Sequence, residues 1–169
     1  MRFKSARFVA IGALLIVAGI ARAQSGSESE LWLRELVGKP LVTRGEVLLA
    51  AALIADDKAW RPDAAWAAKM LARRGFHDGP AGRHLDEFAS RGFASRVFAR
   101  LLQLQGGLWM RLTKQSARYS YRELVVLGLI PGGGDAVQMS GDELNGLLLG
   151  AERYREVGPE RLPIRGDVR

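Results

Sequence analysis

Cysteine is absent from the 169 residues, which excludes disulfides, thiolate nucleophiles and cysteine-bound metals at once. Histidine is nearly absent: His77 and His84 are the only two, and both fall in the segment FHDGPAGRHLDEF. A Ser-His-Asp constellation would have to draw on that one segment, and no Gly-x-Ser-x-Gly elbow accompanies it. Beyond residue 20 no apolar run approaches the roughly 20 residues that span a bilayer. Strand-like alternation is missing too, with Leu108 to Leu112 the one stretch open to a short strand. These absences leave a helical chain without covalent staples, held by its core alone.

The N-terminus supplies what the rest lacks. Arg2, Lys4 and Arg7 precede the apolar run Phe8 to Ile20, and Ala21-Arg22-Ala23 places small residues where a signal peptidase reads them. This is the three-part pattern of a secretory signal, residues 1–23, with cleavage expected between Ala23 and Gln24. The alternative is a retained anchor, but thirteen apolar residues at about 1.5 Å each fall short of a core of about 30 Å. The signal also distorts the charge. Of 25 basic and 18 acidic residues, four basic ones and no acidic ones lie in 1–23, so the net charge of +7 falls to +3. The pI of about 10.4 would otherwise suggest nucleic acid. Export and a charge of +3 point instead to anionic envelope polymers, with no nucleic-acid partner. The remaining 146 residues suit one domain that buries roughly two-thirds of its unfolded surface.

Glycines punctuate that domain into helices. A short helix near Leu31 to Val37 ends at Gly38, and Thr43 to Ala55 opens with Thr-Arg-Gly-Glu and runs apolar. Pro62 to Arg74 stops at Gly75, and Ser90 to Gln103 carries Phe93, Val97, Leu101 and Leu104 on one stripe. Ser116 to Leu127 stops at Gly128, and Ser140 to Tyr154 carries Leu144, Leu147, Leu148, Ala151 and Tyr154 on one face. The expected class is all-α, with five to six helices.

The helices repeat. Trp66, Leu71 and Gly75 match Tyr119, Leu124 and Gly128 in spacing, and each set is followed by a loop and a Ser-started helix. The second helices begin at 43, 90 and 140, which implies three helix–loop–helix units at about 31–57, 62–104 and 116–155. Residues 24–30 form a polar linker and 159–169 a polar tail around the domain 31–158.

On these residues the chain resembles the S-layer homology repeat. In that family an aromatic-bearing helix leads through a glycine and a loop to a second helix starting with a Thr-Arg-Ala-Glu-like tetrapeptide. Thr43-Arg44-Gly45-Glu46 is the nearest match, Ser90-Arg91-Gly92-Phe93 keeps its first half, and Ser140-Gly141-Asp142-Glu143 lacks the arginine. The first unit has almost no loop, and Gly106 to Thr113 reads as an insertion. The resemblance implies a helical bundle that attaches non-covalently to cell-wall polymer or peptidoglycan, without catalysis or a cofactor. It assigns the motif arginine to the acidic group of that polymer.

The cap residues make the same case physically. Thr43 or Ser90 satisfies one free N–H of the first helical turn, the other donors and the dipole favour an anion, and Arg44 or Arg91 adds a planar fork. The competing partner for each arginine is an internal carboxylate such as Glu46, Asp86 or Glu87. Trp66 lies beside Met70 on an apolar helical face, so it reads as core before sugar platform. Trp109, outside the repeat pattern, reads as an exposed contact. The His77–Glu87 segment has no spacing that defines a metal site, and no metal is expected.

The stretch Leu129 to Leu144, LIPGGGDAVQMSGDEL, looks at first like a ligand loop. It lacks the Gly-Lys-Ser/Thr ending of a phosphate loop and the alternating acids of an EF-hand. It reads as a turn followed by a capping box, Ser140 with Glu143. The expected function is therefore that of an exported envelope protein that binds cell-wall glycan. A periplasmic adaptor that keeps the repeats and binds another envelope protein is the alternative, and a hydrolase using the His77 segment ranks last.

Overall fold

A computed structural model describes residues 28–55, 59–79, 83–104 and 115–158. Among these residues there are six helices and no strands, so the chain is an all-α bundle of three helix–loop–helix units. Residues 28–37 form α1, which begins three residues ahead of the expected Leu31. The others are α2 (Arg44–Ala55), α3 (Ala64–Arg73), α4 (Arg91–Leu101), α5 (Ala117–Val126) and α6 (Gly141–Val157). The expected signal, with its expected Ala23–Gln24 junction, lies outside the described residues, as do Trp109, the strand option at Leu108 to Leu112 and the expected tail from Pro159. No described helix is long and apolar enough to cross a membrane.

Central to the bundle is α2. Nine of its twelve residues are buried, and its apolar side chains run all round the helix, so it has no solvent face to keep polar. It packs on α3, α4 and α6, while α4 packs on α5. Its last carbonyls, which no helical N–H reaches, accept from arginines: Arg74 Nη1 donates to Ala55 O at 2.9 Å and Arg155 to Ile54 O. Trp60 meets α2 midway along its length, donating its indole N–H to Leu49 O at 3.1 Å.

The first helices of units two and three end alike. Gly75 and Gly128 take φ values of +77° and +69°, which side chains disfavour. That reversal lets Phe76 N–H reach Leu71 O and Leu129 N–H reach Leu124 O, both at 2.9 Å, closing a Schellman turn. α3 starts later than Pro62 suggested, because Asp63 is the N-cap and accepts from Trp66 N–H at 3.0 Å. A proline two residues before the first helical residue sets the approach of the chain and not its first turn.

The three second helices meet at a closed ring of backbone hydrogen bonds. Val42 N–H donates to Met139 O, Met139 N–H to Ala89 O, and Ala89 N–H to Val42 O, at 2.8–2.9 Å. Each of these residues stands immediately before a helix cap, Thr43, Ser90 or Ser140. The spacing of 47 and 50 is thus the period of a cyclic arrangement, with each second helix entering the core from one corner. All three ring residues are fully buried, so each polar backbone group is satisfied by another unit.

Candidate anion-binding site

Around the ring lie three junctions, each made where the start of one second helix meets the loop leading to the next. The first helical residue after each cap is Arg44, Arg91 or Gly141. Its N–H donates to the neighbouring unit each time, to Glu87 O at 2.8 Å, Val137 O at 2.8 Å and Lys39 O at 2.9 Å. The third helical residue of the next unit completes each junction, and it is Phe93, Glu143 and Glu46 in turn.

At the second-to-third junction the arginine is neutralised. Arg91 Nη2 lies 2.5 Å from Glu143 Oε1 and Nε 3.3 Å from Oε2, while Nη1 donates to Gly132 O at 3.0 Å. Glu143 is fixed in turn by the capping box with Ser140. The Glu143 carboxylate raises the Arg91 pKa above its ordinary value, more than offsetting partial burial. Tyr121 ties down the covering loop, donating to Pro131 O at 3.0 Å and accepting from Gly134 N–H at 2.9 Å. Glycine is needed there: Gly133 has φ +124°, and a Cβ on it would stand 2.9 Å from Arg91 Nη1. The triple-glycine stretch is a cover for an internal ion pair.

At the third-to-first junction there is no room for arginine. A Cβ on Gly141 would fall 1.7 Å from Leu36 O, so only glycine lets α1 close against the start of α6. Lys39, from the loop after α1, supplies the cation instead and pairs with Glu46. Burial alone would raise the Glu46 pKa, but Lys39 and the Thr43 donors hold it below its ordinary value. Thr43 N–H donates to Glu46 Oε2 at 2.7 Å and Glu46 N–H to Thr43 Oγ1 at 3.3 Å, a reciprocal capping box.

The first-to-second junction is different. Phe93 replaces the glutamate, and the Arg44 guanidinium lies over its ring, 5.5 Å from the centroid. The only carboxylate on Arg44 among the described residues is Glu87, with Nη1 to Oε2 at 2.9 Å. The Arg44 side chain keeps 37 % exposure, against 13 % for Arg91, and Glu87 keeps 50 %, against 21 % for Glu143. Arg44 Nε is nevertheless buried with no acceptor. By the alignment of Leu71 with Leu124, the counterpart of Tyr121 is Ala68, which has no hydroxyl to tie a loop down.

The consequence is a cleft of about 180 Å³ between α2, α4 and residues 76–79 and 83–85. Four arginines line it, Arg44, Arg83, Arg96 and Arg100, over an apolar floor that includes Leu48, Phe76, Phe93 and Val97. Two carboxylates oppose them: Glu87 on Arg44, and Asp78, which pairs with Arg96 at 2.5 Å and with Arg100. The Arg100 hydrogen bond is the main reason the Asp78 carboxyl is held below its usual range. Arg83 has no ion pair among the described residues. Arg96 Nε, like Arg44 Nε, is buried without an acceptor. His77 stands edge-on to Phe93, centroids 6.0 Å apart. Burial lowers its pKa, Asp78 opposes that, and Arg100 and Arg96 add to it. The walls thus carry two positive charges beyond their carboxylates, beside apolar surface.

Of the residues singled out from sequence, Arg44 is in the cleft and Arg91 is not, so the two do not share a groove. Thr43 and Ser90 act as caps, Ser90 Oγ accepting from Phe93 N–H at 3.2 Å. Trp66 is half-buried against the core, with Arg61 over its ring at 5.0 Å, and does not line the cleft. The described His, Asp and Glu residues form no group of three able to hold a metal ion. Arg83, Arg96 and Arg100 had no sequence signal beyond their type, although Arg96 and Arg100 sit four apart on one face of α4. No protein-family model matches the chain, and no curated protein or solved structure matches it significantly.

Proposed function

We propose that the chain is an exported envelope protein whose three-unit bundle binds an anionic cell-wall glycan in the Arg44 cleft. The observation that carries this reading is the excess of guanidinium over carboxylate in that one cleft, four arginines against Glu87 and Asp78 among the described residues. Guanidinium favours carboxylate and phosphate through paired, charge-assisted hydrogen bonds. The apolar floor suits the carbon face of a sugar that carries such a group. The signal-like residues 1–23 supply the route out of the cytoplasm.

Sedimentation with purified cell-wall sacculi tests the proposal. The mature protein is expected to pellet with the sacculi, and Arg44→Ala to lower that association about tenfold or more, the loss of a charge-assisted hydrogen bond of roughly 1.5–3 kcal/mol. Wild-type protein left in the supernatant, or Arg44→Ala pelleting as well as wild type, would refute it.

A further inference from the structure

The three junction carboxylates are not anchored alike. Glu143 and Glu46 stand on the first turns of helices, and each also accepts from the N–H of its own cap, Ser140 at 3.3 Å and Thr43 at 2.7 Å. Glu87 stands on a loop and has no such anchor. Its carboxylate is shared between two side chains, Arg44 Nη1 at 2.9 Å and His84 Nδ1 at 2.5 Å, and is half exposed. Its backbone, by contrast, is fixed: its carbonyl accepts from Arg44 N–H at 2.8 Å and its N–H donates to His84 O at 3.3 Å. The side chain can therefore leave Arg44 without any change in the junction's main chain.

We propose that Glu87 is an internal competitor for Arg44, a carboxylate in the ligand's place that an incoming anion displaces. The inference rests on the reading of the cleft as an anion site and adds how that site is regulated. Arg44 has two paired edges, Nε with Nη2 and Nη1 with Nη2, and its Nε is buried, so an anion in the cleft reaches it at the Nη edge. Glu87 already holds that edge through Nη1. A ligand carboxylate or phosphate that pairs with both Nη atoms takes its place, and Glu87 moves out to solvent while keeping His84 within reach. Unliganded protein thus avoids a bare guanidinium beside Phe93, and weak or wrongly shaped anions fail to compete with Glu87. Apparent affinity is lowered by the fraction of molecules in which Glu87 holds Arg44.

Inorganic phosphate is a sufficient probe, because it carries the anion chemistry without any glycan. Full-length mature protein, Glu87→Gln and Arg44→Ala are titrated with phosphate, and the amide resonances of Leu85 to Phe93 are followed. Glu87→Gln is expected to bind phosphate about fivefold more tightly than wild type, the range an exposed ion pair supports, and Arg44→Ala to lose the response. Equal or weaker binding by Glu87→Gln, with the response still lost in Arg44→Ala, overturns the competitor and leaves the anion site standing. An undiminished response in Arg44→Ala, or no response in wild type and Glu87→Gln alike, overturns the site and the competitor together. Unchanged amide positions elsewhere confirm that Glu87→Gln is folded, as expected of an exposed side chain.

Discussion

The Arg44 and Arg91 junctions occupy equivalent corners of the bundle and start from nearly the same tripeptide, yet they do opposite things. Arg91 meets Glu143, is covered by the Gly132 carbonyl, and keeps 13 % of its side chain exposed. Arg44 meets Phe93 in the equivalent place and keeps 37 %. One residue three positions into the next second helix separates an internal ion pair from an open basic cleft. Cap and arginine supply the raw material of an anion site in both corners. The carboxylate that the neighbouring unit provides, or withholds, determines whether the site is filled from within.

The comparison predicts a ranked set of effects. Gly141→Ala should be the most damaging, because its Cβ would meet a backbone oxygen at 1.7 Å with no flexible side chain to yield. A loss of about 3 kcal/mol or more in urea unfolding is expected, at the upper end of overpacking costs. A loss under about 1 kcal/mol would mean that α1 does not close that junction. Next comes Glu143→Ala, which strands the Arg91 guanidinium under its loop. It should cost about 2 kcal/mol, whereas Arg44→Ala, which breaks an exposed pair, should cost under about 1 kcal/mol. Equal costs in the same unfolding experiment would erase the distinction between the two corners. The last effect is the most specific. Phe93→Glu gives the first corner the lock of the second, so Arg44 and the introduced carboxylate should couple by about 1 kcal/mol in a double-mutant cycle while binding in the cleft is lost. A coupling near zero would show that the missing glutamate is not what opens the cleft.

Much of this architecture was legible from the chain. The glycines at 75 and 128 and the caps at 43, 90 and 140 gave the helix ends to within a few residues, because those signals are local. The match of Trp66-Leu71-Gly75 with Tyr119-Leu124-Gly128 showed the repeat for the same reason. The site was only half legible. Arg44 stood out by its motif, but so did Arg91, and nothing local separates them. Arg96 and Arg100 carry no motif, and only their pairing with Asp78 marks them as walls of the cleft. The His77 segment shows no metal spacing, and nothing local marks Asp78 as the residue that bridges two arginines.

Helix positions, the all-α class, the threefold period and the anion-favouring chemistry of a cap followed by arginine are properties of short segments, and sequence alone determined them. The tertiary structure decided which arginine stays available and why the third is missing. Those answers depend on residues about fifty or a hundred positions away: Glu143 reaching Arg91, Phe93 lying under Arg44, and the Leu36 carbonyl pressing on Gly141. Charge neutralisation and steric exclusion act through space, so the partner that closes a junction leaves no mark beside the residue it closes upon.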